Sequence, residues 1–216
     1  MDYQGIQIDR LNHDTVILAG PKTVVIDPFK VDELPKADIV LITHDHYDHL
    51  SIEDLAKTVG SGTVIVAPSL AQEKLKDTKA KHVDLVKPGL QRLIEGVNIR
   101  AVPAYNIDKF RAPGQPFHPK ESNYVGYIVT MKGIKFYHTG DSDFIDEIRA
   151  LGPVDVMFVP VSGTYVMTVD EAVEAVKAVK PKLAIPMHYG AIVGDRGQAE
   201  EFKRKVGDAA QVEILD

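Results

Sequence analysis

Apolar residues along this chain fall in short runs bounded by Gly, Pro, Asn, Asp and Lys, the pattern expected of buried strands. Such runs occupy Gly5 to Asp9, Val16 to Leu18, Thr23 to Ile26, Ile39 to Ile42, Thr63 to Ala67 and Val97 to Val102. They resume at Tyr124 to Met131, Lys135 to Tyr137, Val154 to Val159 and Lys182 to Ile185. Helical spacing appears between them. Ser51 is placed as an N-cap with Asp54 in the reciprocal capping position, and Leu55-Ala56 continues that helix. A second helix is predicted over Ser69 to Asp77, and a third over Asp170 to Val179, ended by Pro181. The stretch from Pro103 to Ser122 is Pro-rich and shows no period. Strands interleaved with helices in both halves predict an α/β fold of two facing sheets with helices outside. No low-complexity linker interrupts the chain, so it reads as one domain over residues 1–216. Its two similar halves are expected to meet near residue 115, without a sequence repeat.

Composition narrows the partners. The 216 residues are 44% hydrophobic and 26% charged, enough for one sizeable core. The formal net charge is −6 at pH 7, which argues against nucleic acid or an anionic membrane surface, since both are held by clustered Lys and Arg. There is no Cys, hence neither a disulfide nor a thiolate ligand. The opening MDYQGIQIDR has no basic n-region or apolar h-region, and no run approaches the roughly 18 apolar residues of a membrane span. These features predict a cytoplasmic protein acting on a small molecule, with homo-oligomerisation left open.

Candidate chemistry is concentrated directly after the run Asp38-Ile39-Val40-Leu41-Ile42. Thr43-His44-Asp45-His46-Tyr47-Asp48-His49 packs three imidazoles and Asp48 into one short stretch, although the whole chain has only 8 His. Alternate side chains leaving a strand point the same way, so His44 and His46 are expected to converge on one ion. Asp48 and His49, in the turn beyond, can serve a second ion nearby. Imidazole with carboxylate suits Zn²⁺, Mn²⁺ or Fe and not Ca²⁺. The end of a strand is also where α/β proteins place their sites.

T-H-x-H-x-D-H after a buried strand resembles the motif of the metallo-β-lactamase superfamily of metal-dependent hydrolases. Val24-Val25-Ile26-Asp27-Pro28-Phe29 is similar to that superfamily's first motif, Phe136-Tyr137-His138-Thr139-Gly140-Asp141 to its fourth, and Ile185-Pro186-Met187-His188-Tyr189 to its last. The landmarks span nearly the whole chain in order. "IDPF", "YHTGDSD", "SGTYVMT" and "KPKLAIPMHYG" look most like the branch containing the L-ascorbate-6-phosphate lactonase. The resemblance implies a four-layer αββα sandwich. It implies that Asp141 bridges two metal ions, that His188 joins Asp48 and His49, and that Asp27 orients a ligand imidazole through its free N–H. The superfamily's RNA-processing members carry an added domain for which this chain has no room.

One motif departs from the family. The third His expected after a mid-chain strand falls by position at Asn106, a poor Zn²⁺ ligand whose amide oxygen suits a harder ion such as Mn²⁺. His118 lies twelve residues on, in the irregular segment. Either His118 replaces the missing ligand, the preferred outcome, or Asn106 ligates weakly, or the first site is only partly filled. Further candidates are His13, which resembles a "GH" of this branch, and Thr164 and Tyr165, whose hydroxyls suit a substrate or oxyanion. Lys109, Arg111 and Lys120 form a local basic group in a segment long enough to act as a lid. His138, just before Thr139-Gly140-Asp141, is a further candidate for the site, with a satisfied buried His as its alternative, and His82 reads as a surface residue.

No G-x-S-x-G elbow, P-loop or G-x-G-x-x-G is present. The expected activity is hydrolysis of a small anionic ester, a sugar-phosphate lactone or a phosphodiester. It would use two divalent ions and a metal-activated hydroxide, with Asp48 or Asp141 shuttling the proton. The alternatives are a di-iron redox or oxygen-binding protein and a non-catalytic metal-binding scaffold.

Overall fold

Two seven-stranded sheets account for all of the expected strands in the computed structural model, which describes residues 1–215. The first contains β1 (Asp2–Tyr3), β2 (Ile6–Arg10), β3 (Val16–Ala19), β4 (Thr23–Ile26), β5 (Ile39–Leu41), β6 (Val64–Pro68) and β7 (His82–Val86), adjacent in chain order. Helices α1 (Ile52–Thr58) and α2 (Gln72–Leu75) lie on the connections after β5 and β6. The second sheet contains β8 (Gln91–Ile94) and β9 (Val97–Pro103). After the small hairpin β10 (Phe110–Ala112) and β11 (Gln115–Pro116), it continues with β12 (Val125–Met131), β13 (Ile134–His138), β14 (Val156–Pro160), β15 (Leu183–Met187) and β16 (Gln211–Val212). Helices α3 (Asp146–Arg149), α4 (Val169–Val179) and α5 (Arg196–Val206) belong to this half. Both sheets are antiparallel at one end and parallel at the other. The chain passes from one sheet to the other between Val86 and Gln91, upstream of residue 115, which sits in β11.

The layers follow from alternation within the apolar runs, because a strand covered on both faces has no polar side to show. Val24, Ile26, Ile39 and Leu41 face Tyr127, Phe136, Phe158 and Ile185 in the core between the sheets. Val25, Val40 and Ile65 face the other way, against Leu55 of α1 and Leu75 of α2. Tyr137, Met157 and Val159 turn toward Val173 and Val176 of α4 and Phe202 of α5. The result is the four-layer αββα sandwich. No helix among the described residues is long and apolar enough to cross a membrane.

Helix starts show how closely local chemistry was obeyed. Ser51 Oγ accepts from the Asp54 backbone N–H, as expected, but the Asp54 carboxylate does not return to Ser51's own N–H. It accepts instead from Ser51 Oγ at 2.7 Å, the Lys30 N–H at 2.8 Å and Lys57 Nζ at 2.8 Å. Burial opposes ionisation, yet these donors hold its carboxyl below the usual carboxylate range. Asp54→Ala is expected to cost about 2 kcal/mol of stability, by loss of a cap and of charge-assisted bonds. Because the folded pKa is depressed, that contribution is full above the unfolded value of about 4 and is lost as pH falls through the folded value. Denaturant melts of wild type and variant at neutral and acid pH check this: the two should converge at the acid end.

Candidate metal centre

Parallel strands of both sheets deliver their C-terminal ends to one edge of the sandwich, and the buried polar residues of the chain gather there. β4 leads to Asp27, the loop after β5 carries His44 to His49, β13 leads to Asp141, β14 to Ser162, and β15 to His188. The pairing of His44 with His46 is made differently from the expected strand alternation, since β5 stops at Leu41 and both residues lie in the following loop. That loop is pinned from outside. Asp27 Oδ1 accepts from the Thr43 N–H at 2.8 Å, Tyr124 hydroxyl donates to Asp45 at 2.8 Å, and His46 O accepts from the Leu50 N–H at 2.8 Å.

Hydrogen bonds on the far ring nitrogens fix how the imidazoles face. His49 Nδ1 lies 2.8 Å from Asp27 Oδ2. His44 Nδ1 lies 2.9 Å from Thr43 Oγ1, whose own proton goes to Asp27 Oδ2. His188 Nδ1 lies 2.9 Å from Ser162 Oγ, and His118 Nδ1 lies 2.9 Å from Asn106 Oδ1. Each Nδ1 is therefore the protonated nitrogen, and each Nε2 keeps a lone pair aimed inward. Nε2 of His49, His118 and His188 is buried without a partner, as is Asp141 Oδ1. His44 Nε2 and His46 Nδ1 face each other at 3.1 Å. Buried polar atoms normally find partners, so this set of orphaned lone pairs fits a shared cation.

Two donor groups flank Asp141, which itself clusters with Asp14, His49 and His188. Ligand atoms of His44, His46 and His118 lie within 4.8 Å of one another, and so do those of His13, Asp48, His49 and His188. Asp141 stands between the groups. Its Oδ2 is 3.3 Å from His118 Nε2 and 3.2 Å from His188 Nε2, and its Oδ1 is 3.3 Å from His49 Nε2.

Residues 7–188 match the model of the beta-lactamase superfamily domain. A metal-dependent hydrolase of family UPF0173 from Thermoplasma acidophilum is 34% identical over 217 residues, covering 94% of this chain and 92% of the relative. The chain belongs to the UPF0173 family of the metallo-β-lactamase superfamily. A crystal structure from Parabacteroides distasonis, provisionally named a metal-dependent hydrolase, superposes with a TM-score of 0.84 at 32% identity, covering 98% of this chain and 94% of that one. A metallo hydrolase from Ignicoccus hospitalis shares the fold, with a TM-score of 0.78 at 21% identity over 98% of this chain and 95% of its own.

Within this UPF0173 chain the third-motif question has a geometric answer. Asn106 Oδ1 accepts from the His118 backbone N–H at 2.8 Å and faces that ring's Nδ1, while its Nδ2 donates to Asp143 and to Tyr165 O. The amide is fully used, its oxygen on His118 and its NH₂ on Asp143 and Tyr165, and His118 is the residue whose ring joins His44 and His46. Asn106 is thus corrected from a ligand candidate to the support of one.

Other candidates separate in the same way. His13 is fully buried inside the second group, and Tyr165 lines the cavity beside the centre. Thr164 is exposed, offers its carbonyl to Ser162 Oγ and is not among the residues lining the cavity. Lys120 turns away to Glu147 at 2.9 Å and the Tyr105 hydroxyl at 3.0 Å, and Lys109 to Glu171 at 2.9 Å. Both thus leave the local basic group of that segment. Arg111 stays, and Lys74, which sequence reasoning did not single out, joins it on the cavity wall, where it pairs with Asp45 Oδ2 at 3.6 Å. His138 is a satisfied core residue, bonded to Asp14 O at 2.9 Å and to the Gly140 N–H at 3.2 Å. Ser162 and Asp14 were also missed.

Electrostatics differ between the groups. Burial and neighbouring positive charge hold His44 well below the ordinary imidazole value, and burial beside His118 pushes His46 down to about 4. His49 and His188 are raised despite their burial, chiefly by Asp141. Burial opposes ionisation of Asp141, but His188 and His49 hold its carboxyl well below the usual range. Asp141 thus favours proton uptake by His49 and His188, and a cation at the centre competes with that uptake. Metal binding is expected to release protons, with affinity rising about tenfold per pH unit for each proton displaced. Titrations in buffers of different ionisation enthalpy check this, and an affinity flat with pH would contradict it.

Proposed function

We propose that this UPF0173 protein is a metal-dependent hydrolase with two divalent ions, zinc foremost and manganese next. Its substrate is a small anionic ester, a sugar-phosphate lactone or a phosphodiester. The observation that carries this reading is the ring of buried imidazoles whose Nδ1 atoms are tied back and whose Nε2 atoms converge on both sides of Asp141. His44, His46 and His118 would hold one ion and Asp48, His49 and His188 the other, with Asp141, which contacts His118, His188 and His49, shared between them. Such ions supply Lewis acidity, acidifying a water and polarising the scissile group. Metal dependence also agrees with the names of relatives at 31–34% identity.

The chain's own residues supply the rest. Asp48 is the better proton acceptor of the two carboxylates. It lines the cavity and its side chain is 14% exposed, whereas that of Asp141 is 4% exposed and hemmed in by imidazoles. His13 and His49 keep Asp48 ionised against the effect of its burial. The cavity, about 540 Å³, is walled by Lys74 and Arg111 together with Phe117 and Tyr165. Two cationic side chains beside the centre of a net acidic protein favour an anionic substrate. An all-imidazole first group weighs for zinc hydrolysis over the di-iron reading. A solvent-open, cation-lined cavity weighs against an inert scaffold.

Metal analysis combined with hydrolysis of bis-p-nitrophenyl phosphate and lactones tests the proposal. Two equivalents of zinc or manganese, with activity lost in a folded Asp48→Ala variant, is the expected result. Equal activity in that variant sinks the mechanism, and iron with redox turnover replaces it. Arg111→Glu and Lys74→Glu are each expected to raise KM for an anionic substrate about tenfold, the value of one charge-assisted contact, with kcat nearly unchanged. An unaltered KM in both would remove them from recognition.

A further inference from the structure

The turn between β2 and β3 brings to the metal edge a histidine whose role none of the motifs explains. His13 is fully buried, and neither Nδ1 nor Nε2 has a hydrogen-bond partner. A core histidine that serves packing alone normally satisfies at least one ring nitrogen. Here the ring is surrounded by ligands. Nε2 is 3.3 Å from Asp48 Oδ2, and the ring centroid is 4.1 Å from that of His188 and 5.5 Å from that of His49.

The backbone places it there at a cost. His13 has φ +51°, in the left-handed region, which takes on the order of 1 kcal/mol from a non-glycine residue and persists only where surrounding structure enforces it. The enforcement is visible. Arg10 Nε donates to His13 O at 3.2 Å, the His188 N–H donates to the same carbonyl at 3.3 Å, and Arg10 Nη2 reaches Tyr189 O at 2.9 Å. His188 is itself left-handed, with φ +60°. Two strained histidines, one from each sheet, are thus clasped backbone to backbone with their rings side by side. Asp14, the next residue, adds a buried carboxylate with both oxygens unpartnered, 4.0 Å from His49 Nδ1. Unpaired buried nitrogens and an unpaired buried carboxylate in one corner are together what a cation would satisfy.

We propose that His13 is a ligand of the second ion through Nε2, adding a third imidazole to His49 and His188 beside Asp48. The inference rests on the metal-centre reading above and goes beyond it, since that reading needs only Asp48, His49, His188 and Asp141. Its consequence is architectural: the N-terminal hairpin of one sheet and the last long strand of the other are joined through the centre, so filling the second site ties them together.

The test is metal binding, independent of turnover. His13→Gln keeps a polar side chain of similar reach but ligates poorly, and His13→Asn is the substitution best suited to the left-handed backbone. Both are expected to retain the first equivalent of Zn²⁺ and to bind the second about 10- to 100-fold more weakly, at least the loss seen for groups that merely orient a ligand. The Co²⁺ absorption of the second site should change with the loss of a donor. In ¹⁵N-labelled wild-type protein loaded with zinc, the His13 Nε2 resonance should move to the metal-bound range, a readout that needs no variant to fold. Wild-type affinity for both equivalents in either folded variant, or an unshifted His13 nitrogen in the two-zinc protein, overturns the inference. Two zinc ions bound without His13 would leave the hydrolase reading standing, whereas a wild-type protein that takes up no second ion removes both.

Discussion

Asp141→Asn is expected to empty the centre and abolish hydrolysis with little change to the fold. The side chain is 4% exposed and ends a turn, so the amide fits the same space. What it loses is charge at the one position facing both donor groups, with imidazole nitrogens at 3.2, 3.3 and 3.3 Å. An Asn oxygen is a weak ligand beside imidazole, and its NH₂ would point a donor where a cation belongs. If a metal contributes several kcal/mol of transition-state stabilisation, its loss lowers kcat by about 10³- to 10⁴-fold. Zinc should also stop protecting the variant against heat, a gain worth about 2.7 kcal/mol at 100 times Kd in the wild type. Asp27→Asn should be milder, about 10- to 100-fold in metal affinity, because Asp27 acts through His49 and Thr43. Metal content, kcat and the zinc-dependent shift in Tm separate the two. Two zinc ions at wild-type affinity in Asp141→Asn would refute the bridging role.

How much of this was legible depended on whether the chemistry was local. His44, His46, Asp48 and His49 stand together in the chain, so their clustering at one site could be read before any fold was known, although a pinned loop and not strand geometry makes them converge. The four layers were equally readable, since strands buried on both faces must be apolar throughout. His118 was one of three outcomes, and sequence distance could not choose among them. The choice is made by a clip, with the Asn106 N–H on His118 O at 2.9 Å and the His118 N–H on Asn106 Oδ1 at 2.8 Å, closed across β10 and β11. Lys109, Arg111 and Lys120 looked equivalent because charge carries no direction in a sequence. Glu171 and Glu147 capture two of them, and those partners lie far along the chain. Helix α5 escaped notice because only Ala199, Phe202 and Val206 are buried along it, although the Asp195 to Gln198 capping box was there to be seen. Ser162 and Asp14 had no local signal, being defined by what the other strands bring next to them.

Gly126→Ala should be among the most damaging single-methyl additions to the chain, and it should strike the metal centre from the far side of a strand. Gly126 lies in β12, and a Cβ there would sit 2.4 Å from Thr139 O and 2.5 Å from His138 O. Those carbonyls belong to the backbone that carries Asp141, so relief must come by moving the segment that sets the Asp141 carboxylate. Gly140 is subject to the same demand from the other end. It has φ +62°, and a Cβ would meet Val125 O at 2.8 Å and Thr43 Cβ at 3.2 Å. Two glycines thus let β12, the Thr43 loop and the Asp141 turn approach closely enough for both donor groups to reach one carboxylate. Overpacking against backbone that cannot rotate away is expected to cost about 3 kcal/mol in Gly126→Ala, which for a chain of this size lowers Tm by roughly 6–12 °C. Gly140→Ala adds left-handed strain of about 1–2 kcal/mol to a similar clash. Gly89→Ala is the control, because φ is +87° there but nothing lies within 4 Å of the added carbon. It should show the strain alone and bind metal normally, whereas the other two should lose both Tm and metal. Melting curves of the metal-free proteins with zinc stoichiometry decide the matter. A Gly126→Ala protein that melts with the wild type and holds two ions would mean that close approach of these strands does not set the position of Asp141.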